Sequence, residues 1–371
     1  MNLLFLDSIE KDVYGGMEEW IRLVASGLAA RGHRVRVVGR PQSRFLDRLE
    51  REAQNVLLEP LDISGDFHPV TIAKLKRILR DNQTDVIIVN FNKDVRLGGL
   101  AARLEGDVRV IWSVGLDITR DSLIHKILTP RLVDGVIVPS ESLKEQITRH
   151  GYINPDIVQV VPIGIPDTSA RISPSAHDKL REKYGWPSDS IVAITVGRLV
   201  EQKGHRYLVE AIPELVRIEP QLRFLWCGDG PLEAQLRERA EGLGVARHIL
   251  FAGMLNSVEE ELAGADLMIH PSIEEPFGIA VLEGMRAGLP IIASHVGGIP
   301  EVSADTGLLV EPRDPMAIIG AVKHLLSKPE DKAELGHLAR VRFEERFSVG
   351  AMLGTIESYL AQIIQTEKRH G

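Results

Sequence analysis

Cysteine is almost missing from this chain of 371 residues. Cys227 stands alone, so no intramolecular disulfide can form and a cysteine-based metal site is excluded. A reducing cytoplasm is the expected setting. Positive charge is not in excess either: 44 Lys and Arg stand against 52 Asp and Glu, a net charge of -8, which argues against a nucleic-acid binder working through bulk positive potential. No apolar run approaches the ~18 residues that a membrane span needs. The opening residues Met1-Asn2-Leu3-Leu4-Phe5-Leu6-Asp7 lack a basic leader and read as a buried strand. Any membrane attachment is therefore expected to be peripheral, at the inner face.

What is present fits a soluble globular protein, with 44% hydrophobic and 26% charged residues and a length that suits two domains. Short β-rich apolar runs alternate with helical patterns, the signature of parallel sheets covered on both faces. In the first half strands are expected at 3–6, 35–38, 55–58, 85–89, 108–112, 135–138 and 158–161. The clearest helix, over 17–31, places Trp20, Leu23, Val24 and Leu28 on one face and stops at Gly32. A Pro-, Ser- and Asp-containing stretch at 162–175 reads as a linker. The alternation resumes with strands at 191–196, 222–226, 249–252, 267–270, 291–293 and 308–310, and ends in a helix over 348–367. The expected fold class is α/β: two Rossmann-like doubly wound domains, 1–166 and 167–347, that hold ligands at the carboxyl ends of their strands, facing a cleft.

The motifs can be tested against that rule. Glu275 and Glu283 bracket the segment Glu275-Pro276-Phe277-Gly278-Ile279-Ala280-Val281-Leu282-Glu283. A helix beginning at Phe277 or Gly278 points free N–H groups at an anion. Glu275 then lies on the loop before it and Glu283 about two turns inside. Each carboxylate can accept paired hydrogen bonds from a ribose or hexose diol, which suits a sugar attached to a phosphate. Alone, the spacing fits equally well two acids flanking a surface helix.

Neighbouring strand ends tip the balance. The first strand of the second half runs into Gly197-Arg198-Leu199-Val200-Glu201-Gln202-Lys203-Gly204, where Arg198 and Lys203 can neutralise a diphosphate. The next ends in Cys227-Gly228-Asp229-Gly230-Pro231, a turn that permits close backbone approach. Gly253-Met254-Leu255 offers backbone groups to a nucleobase edge, His270-Pro271-Ser272 leads into the acidic segment, and Gly297-Gly298-Ile299-Pro300-Glu301 follows the fifth strand. In the first half, Tyr14-Gly15-Gly16-Met17 precedes the amphipathic helix without completing a G-x-G-x-x-G fingerprint. Asn90, Asn92, Lys93 and Asp117 lie at or near strand ends, as caps and loop residues or as ligand contacts. The basic amphipathic segment 73–80 reads as a solvated helix face, with contact to anionic lipid as the alternative.

Taken together, Gly15-Gly16, Gly197-Arg198 with Lys203-Gly204, Gly228-Asp229-Gly230-Pro231 and the Glu275 to Glu283 segment resemble glycosyltransferase family 4 over essentially the whole chain. Its members have the two-domain GT-B fold and retain anomeric configuration. The resemblance implies that Arg198 and Lys203 hold the donor diphosphate, that Glu275 faces the transferred sugar and that Glu283 holds the ribose. Gly16, Gly197, Gly228, Met254, Phe277, Gly278 and Ile279 would line the rest of the donor site; Gly15, Asn90, Asn92 and Asp117 are the acceptor-side candidates. The last segment, 348–371, would return to the N-terminal domain.

The implied donor is a nucleoside diphosphate sugar of UDP, GDP or ADP type. The acceptor would be a hydroxyl of a glycan, glycolipid or small molecule, as in polysaccharide or lipopolysaccharide biosynthesis, with no nucleic-acid partner. Fixed cations offset the charge that builds on the leaving diphosphate, so neither metal nor cofactor is expected. One departure stands out. Where many relatives carry a His-Gly pair, this chain reads Trp112-Ser113-Val114-Gly115-Leu116-Asp117, with Val114 at the histidine position and Ser113 or Asp117 as substitutes. A nucleotide-sugar epimerase and a non-catalytic nucleotide-sugar-binding protein are the rival readings.

Overall fold

In the computed structural model, which describes residues 1–13, 15–116, 123–167 and 173–366, the chain folds as two compact α/β units. One comprises Met1–Ile163 together with the segment from Val349; the other is Gly164–Ser348.

The first unit carries seven strands: β1 (Asn2–Leu6), β2 (Arg34–Gly39), β3 (Leu57–Pro60), β4 (Val86–Val89), β5 (Arg109–Ser113), β6 (Gly135–Val138) and β7 (Val158–Val160). All pair in parallel in the order 3-2-1-4-5-6-7. Strands such as Val86-Ile87-Ile88-Val89 are buried throughout, because helices cover both faces and each successive side chain finds a core. Leu4, Leu6, Ile87 and Val89 face one core layer, while Leu3, Phe5, Val86 and Ile88 face the other. Strand order reverses between β1 and β4, the position where open α/β sheets leave a crevice.

The helix Gly16–Ala30 packs Ile21, Val24 and Leu28 into the second layer, and the helix Val349–Gln365 adds Met352, Leu353, Ile356 and Leu360 to it. Arg31 and His33 hold Glu357 of that last helix at 2.9 and 2.7 Å. The helix Val349–Gln365 thus belongs to the first unit. In the helix Pro69–Asp81, Leu75 and Leu79 are buried and Ile72 and Ile78 pack against the core. Its apolar stripe is spent inside the unit, leaving Lys74 and Arg77 solvated. Among the described residues no helix is long and apolar enough to cross a membrane.

The second unit carries β8 (Ile191–Val196), β9 (Leu222–Cys227), β10 (Ile249–Gly253), β11 (Leu267–His270), β12 (Ile291–Ser294) and β13 (Gly307–Val310). These are parallel in the order 10-9-8-11-12-13, reversing between β8 and β11. A buried arginine braces the far end of this sheet. Arg181 donates to the carbonyls of His177, Ser190 and Gly264 and to the Asp266 carboxylate at 2.6 Å, and Asp266 also accepts the Val192 N–H.

The two doubly wound sheets and every expected strand are present, with bounds within two residues of expectation. The largest offset is at β3, which starts at Leu57 and not at Asn55. There the Val56 N–H closes a turn onto the Ala53 carbonyl and the Asn55 amide bonds the Ser26 carbonyl, so both residues are committed before the strand begins.

Candidate active site

At the carboxyl end of the second sheet the connecting loops bond to one another and form one continuous rim. The Leu199 N–H donates to the Asp229 carbonyl at 2.7 Å, joining the loops after β8 and β9, and the Gly228 N–H donates to Gly253 at 2.8 Å, joining β9 to β10. The Ile273 N–H donates to the Gln202 carbonyl at 2.8 Å, and the Gly298 N–H to the Glu275 carbonyl at 3.0 Å, which ties in the loops after β11 and β12. Close approach explains two of the glycines. Gly204, at φ +67°, faces the Pro271 carbonyl, and Gly297, at φ +52°, faces the Glu275 carbonyl; a Cβ at either would overlap that oxygen.

On this rim Lys203 and Glu275 meet. Lys203 Nζ lies 2.5 Å from Glu275 Oε2, and His270 Nε2, at the end of β11, lies 3.0 Å from the same oxygen. Ser272 Oγ is 3.0 Å from His270 Nε2. Burial alone would raise the Glu275 carboxyl, but the hydrogen bond and charge of His270, with Lys203, overcome it and hold the group down at about 2. Both neighbours use Oε2, and no described residue bonds Oε1, which leaves that oxygen able to accept from a ligand. The aliphatic stem of Lys203 runs past Gly197. Arg198 on the same loop is exposed; its carbonyl accepts the Val200 N–H at 2.9 Å, while its guanidinium makes no hydrogen bond or ion pair with a described residue.

The helix behind Glu275 is Ile279–Ala287. It starts later than the sequence suggests, because Gly278 takes φ +108° and caps the helix without joining it. Glu283 is consequently little more than one turn inside, not two. The Phe277 side chain turns into the unit and packs edge-on against Phe347, 6.2 Å between ring centres. The N–H groups of Phe277, Gly278 and Ile279 donate to no described group, leaving a helix N-terminus with open donors. Glu283 is half-buried, and burial pushes its carboxyl up to about 7, with Arg286 opposing and Glu259 reinforcing the shift. Arg286 is itself engaged, donating to the Pro166 carbonyl at 2.9 Å. Met254, beyond β10, is 65% exposed and presents an apolar surface on this rim.

In the first unit the corresponding strand ends mix exposed and buried positions: Gly15 and Gly16 are exposed, Asn90 and Val114 buried. Gly15 caps the helix Gly16–Ala30, and its N–H is taken by Glu18 Oε2 at 2.6 Å, whereas the Gly16 N–H is unused by any described group. Asn90 is 1% exposed; its amide donates to the Leu6 carbonyl, its backbone carbonyl accepts from Trp112 Nε1, and its Oδ1 has no partner among the described residues. Asn92 opens the helix Asn92–Glu105 and is half-buried. Val114 is buried in the core, and its N–H is bonded to the Ile137 carbonyl. Its side chain is therefore unavailable to a ligand. Asp117, its possible substitute, lies outside the described residues; Ser113 is buried at the end of β5.

Two features of these strand ends lie outside the motifs. The bond from His270 to Glu275 crosses a five-residue turn and follows no periodicity. Beyond β1 and β4, Asp7, Glu18 and Asp94 are fully buried, each with one oxygen lacking a partner among the described residues. The Glu18 contact had a signal, since an acid three residues after a cap at Gly15 is the spacing of a capping box.

Comparison with known proteins agrees with this architecture. Residues 14–169 match the model for Glycosyltransferase Family 4, and residues 176–342 match that for Glycosyl transferases group 1. The chain belongs to these glycosyltransferases. An uncharacterized glycosyltransferase of Methanocaldococcus jannaschii is 33% identical over 52% of this chain and 50% of the relative, so the chain spans about half the length of that curated relative. A D-inositol 3-phosphate glycosyltransferase of Acidothermus cellulolyticus is 28% identical over 94% of this chain and 86% of the relative. Among solved structures, Anabaena HepE in complex with UDP superimposes with a TM-score of 0.85 at 21% identity, covering 98% of this chain and 100% of that one. The fold is that of the GT-B glycosyltransferases.

Proposed function

We propose that this chain is a metal-independent, retaining glycosyltransferase that moves a hexose-type sugar from a nucleoside diphosphate sugar to a hydroxyl acceptor. The observation that carries the reading is the set of groups on one rim of the second unit: an unengaged guanidinium at Arg198, the Lys203–Glu275 pair with one carboxylate oxygen open, and three unused N–H groups at 277–279.

Breaking the bond from anomeric carbon to phosphate builds negative charge on the diphosphate and positive charge on the sugar ring. Arg198, Lys203 and the helix N-terminus would stabilise the first, and Glu275 the second. Glu283 would accept hydrogen bonds from the ribose diol. Attack from the face of the departing phosphate, whose oxygen takes the acceptor's proton, needs no separate protein base. HepE was crystallised with UDP, and by analogy UDP is the first donor nucleotide to try, ahead of GDP and ADP.

The test is turnover of UDP-, GDP- and ADP-sugars with a panel of hydroxyl acceptors, with and without EDTA, and assignment of the product anomer by NMR. Acceptor-dependent transfer with the donor's anomeric configuration, unaffected by EDTA, is expected. Conversion of donor alone would instead indicate an epimerase.

A glycolipid acceptor presented at the inner membrane face is a second reading, favoured by the helix Leu123–Leu132. It exposes Ile124 and Ile127 beside Lys126 and Arg131. Flotation with anionic vesicles tests it, and no binding at low salt would overturn it.

A further inference from the structure

His270 has no assigned part in the chemistry just described, yet it is the most rigidly placed partner of Glu275. Its side chain is 1% exposed and stands on the last residue of β11. Lys203 reaches Glu275 through a flexible four-carbon stem and has two further N–H donors to offer a diphosphate. A carboxylate held by such a lysine alone would move whenever the lysine moved. His270 Nε2 contacts the same oxygen, Oε2, from a fixed strand end, with Ser272 Oγ alongside at 3.0 Å. An ionised carboxylate only accepts hydrogen bonds, so Nε2 carries the proton and donates it. The other ring nitrogen, Nδ1, is buried with no partner among the described residues. Among those residues the imidazole is thus committed to Glu275 and Ser272 and to no other polar group.

We propose that His270 is the positioning residue of Glu275: it pins Oε2 so that Oε1 stays presented to the ligand while Lys203 is free to serve the diphosphate. The role of Glu275 in transfer rests on the function proposed above, but the anchor itself does not. Two readouts separate them.

The first is independent of activity. In protein labelled with carbon-13 at the glutamate carboxyls, with Glu275 assigned through Glu275→Gln, the wild-type Glu275 resonance is expected not to titrate at any pH the fold survives. In His270→Leu it should titrate within the accessible acid range, and in His270→Gln, whose amide N–H reaches a similar point, it should move back toward wild type. An unchanged Glu275 titration in His270→Leu overturns the proposal, whether or not the enzyme turns over. The second readout uses the donor found for the wild type. His270→Leu should lower kcat by about 100-fold, the scale set by misplacing a reacting group by an ångström, with donor KM within threefold and the acid limb of the kcat profile shifted to higher pH. His270→Gln should recover most of the rate. Equal loss in both variants together with a fall in melting temperature would mean a merely structural histidine and would also overturn it. Absence of turnover in the wild type would count against the proposed function alone, and the carboxyl titration would still decide the anchor.

Discussion

The Gln202 carbonyl accepts the Ile273 N–H at 2.8 Å, so the loop bearing Lys203 and the loop bearing Glu275 are bonded through their backbones as well as their side chains. That link requires close approach next to it, at Gly204. Gly204→Ala forces a Cβ against the Pro271 carbonyl at a backbone angle of φ +67°. The strain exceeds the ~1 kcal/mol of an ordinary Gly→Ala change at a positive-φ site. Calorimetry should show a lower melting temperature, and nucleotide affinity should fall with it because the two loops part.

Glu283 gives the site a pH dependence. Its carboxyl is raised to about 7, chiefly by burial, so its contribution to folding stability is full below the ordinary carboxylate range and is lost as pH rises through about 7. Ligand hydroxyls would offset that cost by donating to the ionised form. Nucleoside diphosphate affinity measured by calorimetric titration should therefore rise between pH 6 and 8. In Glu283→Gln the rise should be absent, with affinity at pH 8 lower by about tenfold, or ~1.4 kcal/mol.

The first unit should show its own pH dependence. Burial raises Asp94 to about 6, and burial followed by the Asp94 charge raises Asp7 well above its usual value. Stability from this pair is present in acid and is lost as pH rises through about 6. Asp94→Asn keeps an oxygen that can accept the Phe91 N–H now bonded at 3.1 Å and cannot ionise. Its melting temperature should exceed the wild type at pH 8, by about 2–4 °C per kcal/mol recovered, and match it near pH 4.

How much of this was legible in the sequence depended on the range of the signal. Val86-Ile87-Ile88-Val89 and Ile191-Val192-Ala193-Ile194-Thr195-Val196 are apolar, largely β-branched runs, and a strand buried on both faces needs little else. The rim was legible for a related reason: a doubly wound sheet sends every strand-end loop to one edge, so Arg198, Lys203 and Glu275 were predictable neighbours by topology. Side-chain geometry was not. The start of the helix after Glu275 turned on the single backbone angle of Gly278. The pairing of Asp7 with Asp94 depends on β1 lying beside β4, across 83 residues of chain, and no local pattern encodes it.

The proposed function requires the second unit to bind a nucleoside diphosphate through Arg198 and Lys203. Titration of the intact protein with UDP, GDP and ADP by calorimetry measures this. At least one nucleotide should bind with a dissociation constant below 1 mM, and Arg198→Ala and Lys203→Ala should each weaken it by about 10- to 100-fold, the range expected on losing a charge-assisted hydrogen bond. No binding of any of the three at millimolar concentration, or binding that both substitutions leave unchanged, would contradict it.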